Sequence, residues 1–234
     1  MAAEFSHYYD AKHVGDAVAG GHHREMVGGM WQELGQFQLD LLTAHGLQSH
    51  HKMLDIGCGC LRGGVHFAGY LDQAHYFGTD LNDALIQIGY ERELPEAGLQ
   101  DRIPRANLIA QANFDFAVFG ILFDRALAFS LFTHLPLNSI RVCLERLAPV
   151  MVPGGILHAT FFELTNARPS FADVRHEPAG IVTHGDADPY HYRVADLEHA
   201  VARLPWEMRY IGGIGHPRGQ RLINLVRLPD KRDP

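Results

Sequence analysis

Lysine is scarce in this chain. Only Lys12, Lys52 and Lys231 occur in 234 residues, no run of Lys and Arg appears, and the formal net charge is −7. Reading a nucleic-acid backbone usually needs a basic face, so a DNA or RNA partner is not expected. No apolar run reaches the ~18 residues of a membrane span, so no membrane partner is expected either. The first ten residues lack the basic start and apolar stretch of a secretory signal. Cysteine is scarce too. Cys58 and Cys60 share one glycine-rich turn, Cys143 sits in a helical pattern, and three thiols cannot all pair. A reduced, cytoplasmic protein fits best. Histidine is plentiful at 16, but no H-x-x-x-H or C-x-x-C spacing occurs. Neighbours such as His22-His23 and His50-His51 point in different directions, so no metal site is expected.

What remains is the composition of a soluble globular protein, 47% hydrophobic and 20% charged. The length suits one domain, 1–234. Residues 1–21 show no periodicity and read as a flexible arm. From 22 to 46 the pattern is helical: Met26, Met30, Leu34, Phe37 and Leu41 fall on one stripe, with Gly46 as the stop. Trp31 on that stripe reads as core packing or as a pocket wall. Strands are predicted at 52–56, 76–79, 107–112, 123–129 and 156–162. Helices are predicted at 62–71, 83–94 (capped by Asn82 or Asp83), 136–147 and 194–204. Alternating strands and helices at this interval predict a doubly wound α/β fold with a parallel sheet. Segments 207–212 and 221–227 predict a terminal antiparallel hairpin. Between them and the fifth strand, 163–193 breaks the rhythm with prolines and glycines. A loop of ~30 residues in a compact domain is usually functional or disordered. It leaves the carboxyl edge of the sheet, where open α/β folds bind ligands, and reads as a lid or substrate-recognition insert.

The stretch Leu54-Asp55-Ile56-Gly57-Cys58-Gly59-Cys60-Leu61-Arg62-Gly63-Gly64 carries the most information. An apolar strand enters a glycine turn that opens a helix. Roughly 20 residues on, Gly78-Thr79-Asp80-Leu81-Asn82 ends a second strand with an acid. Glycines let backbone approach a ligand closely. The Asp80 carboxylate can accept both hydroxyl protons of a ribose diol, in charge-assisted bonds worth ~1.5–3 kcal/mol each. A dinucleotide site uses G-x-G-x-x-G. Here Gly57 and Gly59 fit but the next glycine is Gly63, one position late, which counts against an NAD-dependent oxidoreductase.

An acid two residues before G-x-G resembles motif I of the class I S-adenosylmethionine-dependent methyltransferases, and Asp80 resembles that family's acid at the end of strand two. Phe123-Asp124 running to Ser130 and then His134-Leu135 resembles its fourth strand and following turn. The similarity covers residues 50–163. It implies the family's seven-stranded, mostly parallel Rossmann-like sheet, with the C-terminal antiparallel hairpin and helix 22–46 covering the cofactor. It implies S-adenosylmethionine as cofactor. By position, Asp55 would orient the turn and the methionine amino group, and Gly57, Cys58 and Gly59 would lie against methionine and ribose. Asp80 would bind the ribose and Leu81 would pack on adenine. Asn113, with Phe114 beside it, takes the place where the family commonly has an adenine-binding Asp. Phe129 and Ser130 would lie near the sulfonium.

Each residue has a plainer reading: Asp80 and Ser130 as helix caps, Asn113 as a turn former. Arg62, opening the first helix, reads as a partner for the methionine carboxylate or as a solvated first-turn residue. A base is needed only where the acceptor must lose a proton. His134 is the first candidate for this catalytic role, since imidazole exchanges protons near neutral pH; a turn residue is the alternative. His158, Glu163, the cluster Tyr190, His191 and Tyr192, and His216 with Arg218 are further options around an acceptor. The fourth strand does not end in a D/N-P-P-Y motif, which argues against a nucleobase. A small-molecule or sugar-type acceptor is expected, with O-methylation favoured and a homodimer compatible. The rival of another class is a non-catalytic protein that binds S-adenosylmethionine or S-adenosylhomocysteine.

Overall fold

The computed structural model describes residues 7–229, which divide into two compact units, 7–113 and 114–229. In the first unit Asp10 starts the chain's regular structure. Its carboxylate accepts from the backbone N–H groups of Lys12 and His13, each at 3.0 Å, and caps α1 (Ala11–Ala19). The arm expected over 1–21 is therefore a helix across 11–19; residues 1–6 lie outside the described residues. One cap and a single fully buried residue, Val14, hold α1, too little to register as a periodic stripe.

The long helix expected over 22–46 is two helices, α2 (His23–Met26) and α3 (Trp31–Ala44). Gly28 and Gly29 adopt φ of 92° and 63° between them, which ends α2 and resets the helical phase. Met30 is consequently exposed, and the buried face of α3 is Leu34, Gly35, Gln38, Leu41 and Leu42. Gly46 is the stop, as expected: it takes φ 88° and donates to Thr43, while Leu47 N–H closes back on Leu42.

A parallel sheet in the order β3-β2-β1 follows: β1 (Met53–Ile56), β2 (Tyr76–Asp80) and β3 (Leu108–Ala110). Its register runs from Met53↔Tyr76 to Ile56↔Thr79 and from Gly78↔Leu108 to Asp80↔Ala110. All four residues of β1 are buried, as a central parallel strand requires. Crossovers are α4 (Arg62–Tyr70) and α5 (Asp83–Ile88), the latter continuing through a π-helical turn, Gly89–Glu93, into α6 (Leu94–Glu96).

In the second unit β4 (Phe123–Ala128) pairs in parallel with β5 (Met151–Glu163), which β10 (Arg221–Arg227) and β9 (Trp206–Gly213) extend antiparallel. Helix α7 (Leu137–Leu147) buries the expected Ile140, Cys143, Leu144 and Leu147. Strand β5 begins five residues before its expected start. Pro153-Gly154-Gly155 lies inside it, where pairing jumps from Phe123↔Met151 to Arg125↔Ile156. That is a bulge, with Gly154 at φ 81°.

Residues 163–193 are more ordered than their sequence suggests. They hold a short antiparallel pair, β6 (Val174–His176) and β7 (Ile181–Thr183), and then β8 (His191–Tyr192), which pairs in parallel with the end of β5. Helix α8 (Val194–Val201) follows. The expected seven strands are β1–β5, β9 and β10; β8 is an addition.

Candidate functional site

The turn after β1 is built by hydrogen bonds to β2. The N–H groups of Gly57 and Cys58 both donate to the Thr79 carbonyl, at 2.7 and 3.0 Å. Gly57 needs φ 82° and Gly59 φ 54° to do this, which favours glycine. Gly59 N–H then donates to Asp80 Oδ2 at 2.8 Å, and Asn82 N–H donates to Oδ1 at 2.9 Å. One carboxylate thus ties the turn after β1 to the turn after β2. Burial raises the Asp80 pKa against the opposing pull of the backbone N–H groups of Asn82, Gly59 and Leu81. Each carboxylate oxygen carries two lone pairs, so acceptance of one N–H apiece leaves capacity for a diol. Leu81 beside it is half-buried. Asn82 does not cap α5 with its side chain; its Nδ2 donates to the Tyr8 carbonyl at 3.0 Å.

Asp55 is turned elsewhere than expected. It is buried and accepts from the Tyr76 hydroxyl at 2.7 Å, and burial pushes its pKa up to about 7. Gly64 makes room for that hydroxyl, which lies 2.9 Å from where a Cβ would stand. The Cys58 and Cys60 thiols are buried, and burial raises both, Cys60 to about 12, so neither is a ready thiolate.

Arg62 is not the solvated first-turn residue of its plainer reading. Its side chain is buried, and Nη1 donates to the carbonyls of Val27 and Gly29 at 2.8 and 3.0 Å. It fastens the 27–29 loop to the start of α4. Val27 Cγ1 lies 2.8 Å from the place a Gly59 Cβ would occupy, so this glycine also admits a neighbouring side chain. The loop's flanks are pinned as well. Tyr8 hydroxyl donates to the Met26 carbonyl at 3.0 Å, and Glu93 takes bonds from His23 at 2.6 Å and from Arg24 at 2.6 and 2.9 Å. Burial pushes Glu93 up, but the bonds from Arg24 and His23 outweigh it and hold the carboxyl below its ordinary range. Arg24 also stacks 4.7 Å from the Trp31 ring. Trp31 packs against the cluster of Val14, Met26, Cys60 and Leu85, the core role of its two readings.

Asn113 is exposed on the loop after β3; the residue joined to Asp80 is Gln111, whose N–H donates to the Asp80 carbonyl at 2.8 Å. Phe114, at φ 55°, lies 6.1 Å from Phe116 with the two rings tilted at 45°.

The second unit gathers polar groups at the carboxyl ends of β4 and β5. Phe129 is buried with its ring 5.0 Å from His216. Ser130 takes φ 59° and is no helix cap. Its N–H donates to Thr160 Oγ1 at 2.7 Å and its Oγ to Gln220 Oε1 at 3.1 Å, while Thr160 Oγ1 donates to the same Oε1 at 2.6 Å. Four residues on, His134 Nδ1 meets Asp188 Oδ1 at 2.6 Å. Backbone and side-chain bonds clamp the insert here: Tyr190 N–H to the Thr133 carbonyl at 2.7 Å, and Tyr192 hydroxyl to the Leu135 carbonyl.

Other histidine and acid candidates are engaged elsewhere. His158 is buried against Asn224 Oδ1 at 2.8 Å. His191 and His176 share the Thr183 hydroxyl, at 2.8 Å each, and burial lowers the His176 pKa to about 4. Glu163 accepts from Tyr210 at 2.7 Å on the exposed side of β9. Arg218 N–H donates to His216 Nδ1 at 3.0 Å. Sequence reasoning missed Tyr76, Arg24, Glu93, Thr160, Asp188 and Gln220, none of which stands in a short motif. Only the Asx-type spacing of the 186–190 segment hinted at a turn that could carry Asp188.

Residues 54–157 match a family model described as a methyltransferase domain. Three solved structures share the fold. A magnesium protoporphyrin IX methyltransferase from Synechocystis PCC 6803 with bound S-adenosylhomocysteine is 15% identical with TM-score 0.62, over 93% of this chain and 99% of that one. An amino pentose methyltransferase from Micromonospora echinaspora with bound S-adenosylmethionine is 19% identical with TM-score 0.59, over 94% and 96%. A glycopeptide N-methyltransferase with bound S-adenosylhomocysteine is 15% identical with TM-score 0.58, over 82% and 89%. All share a mixed α/β architecture, mostly parallel with antiparallel C-terminal strands.

Proposed function

We propose that this chain is an S-adenosylmethionine-dependent methyltransferase that methylates an oxygen of a small-molecule or sugar-type acceptor, a reading supported by its methyltransferase-domain match and its fold. The observation that carries the choice of oxygen is the 2.6 Å pairing of His134 with Asp188. An amine is a nucleophile once neutral, whereas a hydroxyl gains most from a base that takes its proton as the new bond forms.

The residues of the first unit fit the cofactor. The Gly57–Gly59 turn presents backbone, Asp80 keeps lone pairs for a ribose diol, and half-buried Leu81 offers an apolar surface beside it. When bound, the cofactor supplies a methyl carbon on a cationic sulfonium. The chain's own part is alignment and proton handling; alignment of this kind is worth ~7–11 kcal/mol. Asp188 orients the imidazole through Nδ1, and His134 is the group that would take the acceptor's hydroxyl proton. In the proposed reaction the cofactor would supply the methyl group to the acceptor oxygen, and His134 would take the proton that oxygen loses.

The test is calorimetric titration with S-adenosylhomocysteine, with NAD in parallel, followed by transfer of labelled methyl to matched hydroxyl and amine probes. Binding of S-adenosylhomocysteine with label on hydroxyl probes is the expected result. Label on amines alone overturns the oxygen assignment, binding without any transfer favours a non-catalytic binder, and binding of NAD alone overturns the cofactor.

Among the described residues no helix is long and apolar enough to cross a membrane.

A further inference from the structure

We infer that Ser130 and Gln220 together form a reading head for a hydroxyl group on the methyl acceptor, an inference that rests on the methyl-transfer function above. Gln220 precedes β10 and is 2% exposed. Its Oε1 takes protons from two hydroxyls, Ser130 Oγ at 3.1 Å and Thr160 Oγ1 at 2.6 Å.

Hydrogen-bond bookkeeping fixes the amide's orientation. Thr160 is fully buried, and its Oγ1 already accepts from Ser130 N–H at 2.7 Å. Its own proton therefore needs an acceptor, and Gln220 Oε1 supplies one. With the amide reversed, Nε2 would donate to Thr160 Oγ1 and leave the Thr160 proton buried without an acceptor, at a cost of ~1–3 kcal/mol. The observed orientation leaves Gln220 Nε2 with two N–H donors that no group among the described residues accepts. Nε2 itself is not sealed from solvent, so a group that reaches it meets an open donor on an otherwise buried side chain.

Ser130 has the opposite bias. Its single proton is committed to Gln220, so the half-buried Oγ can only accept from any third group. The pair thus offers one acceptor and one donor, separated by a single hydrogen bond. A hydroxyl, which both donates and accepts, satisfies both at once. An ether oxygen can only accept, and an ammonium can only donate. The backbone holds the head in place: Ser130 is kept at φ 59° by its N–H to Thr160 and by Thr160's position in β5. It lies at the carboxyl ends of β4 and β5, the edge at which open α/β sheets bind their ligands. A hydroxyl beside the one to be methylated would be gripped here, which is the pattern of a vicinal diol in a phenol or a sugar.

The experiment uses the full chain loaded with S-adenosylhomocysteine and two probes, catechol and methyl β-D-glucopyranoside, titrated calorimetrically. The expected result is saturable binding of at least one probe, which tells a phenolic from a sugar source. The same probe should bind at least about tenfold more weakly to Gln220→Glu, with the affinity for S-adenosylhomocysteine changed by less than about twofold. In Gln220→Glu the new carboxylate still accepts from Ser130 and Thr160 but has no donor for the ligand. Gln220→Met gives the same comparison should the Glu variant melt early. Unchanged probe binding in both variants overturns the inference, as does failure of the wild type to bind either probe while binding S-adenosylhomocysteine. A variant that instead loses S-adenosylhomocysteine assigns the pair to the cofactor and also overturns it. No S-adenosylhomocysteine binding by the wild type is a different outcome, since it removes the underlying function.

Discussion

Arg62, at the first position of α4, holds Val27 by its carbonyl at 2.8 Å and Gly29 at 3.0 Å. Arg62 thereby fastens a loop that lies against the Gly57–Gly59 turn. Arg62→Met would strip two carbonyls of a charged donor, and bonds to charged groups are worth ~1.5–3 kcal/mol each. We expect a stability loss of about 2–4 kcal/mol, seen as a melting temperature lower by roughly 5–15 °C. Limited proteolysis should cut faster between residues 24 and 30. A melting temperature equal to the wild type's would mean that the loop is held by its apolar contacts alone.

Asp80 has a double burden, since its carboxylate holds Gly59 and Asn82 as well as serving the proposed ribose diol. Asp80→Ala should lose S-adenosylhomocysteine affinity by about 100-fold or more, from two charge-assisted bonds. Asp80→Asn keeps one oxygen but turns an NH2 group toward a backbone N–H, so it should fall between. Calorimetric titration checks both, and undiminished affinity in the alanine variant would end the case for this turn as the cofactor site.

The sheet was legible because its strands are short apolar runs separated by glycine turns. Leu54-Asp55-Ile56-Gly57 and Gly78-Thr79-Asp80 announce themselves locally, and so does the 3.6-residue pattern of α7. The helix over 22–46 was misread because Met26 and Leu34 keep a shared phase across Gly28-Gly29, where the backbone is left-handed and the phase is lost. The insert was misread as irregular because β6, β7 and β8 are two or three residues long, below any detectable alternation. Of the candidate site, Asp80 and its turn were readable by spacing. The partnerships Tyr76–Asp55, Arg24–Glu93, His134–Asp188 and Ser130–Gln220 join residues 21 to 90 positions apart. Such pairings are made by topology, and no local pattern encodes them.

Asp55 should give the protein an acid-favoured stability. Its folded pKa of about 7 lies above the unfolded value of 3.8, so the folded state keeps a proton that the unfolded state releases. Its contribution is fully present below pH ~4, declines as pH rises toward 7 and is flat above. Asp55→Asn leaves an oxygen for Tyr76 and has no proton to lose. Relative to wild type, the variant should therefore gain stability from pH 4 to pH 7, by up to about 4 kcal/mol. Urea unfolding at pH 4, 5.5 and 7 measures the difference, and a pH-independent gap would show that Asp55 stays ionised in the folded protein.

His134 and Asp188 should separate by the kind of damage their loss does. Removing a general base typically costs 10²–10⁴-fold in rate, so His134→Ala should cut turnover of a hydroxyl probe by about that much. Its affinity for S-adenosylhomocysteine should stay within about twofold, because His134 belongs to the proton step. Asp188 acts through the imidazole and is a positioning residue. Asp188→Asn leaves an acceptor for Nδ1–H, or a donor that favours the other tautomer, and removes the negative charge that steadies the imidazolium. Its turnover should drop less than that of His134→Ala, as a fall in kcat with the KM for the probe within about twofold, and Asp188→Glu should recover part of the loss. If Asp188→Asn raises KM with kcat unchanged, and Asp188→Glu recovers nothing, Asp188 only anchors the insert at Thr133–Leu135. If His134→Ala retains full turnover, the acceptor reaches the cofactor already deprotonated, and His134 is a turn residue.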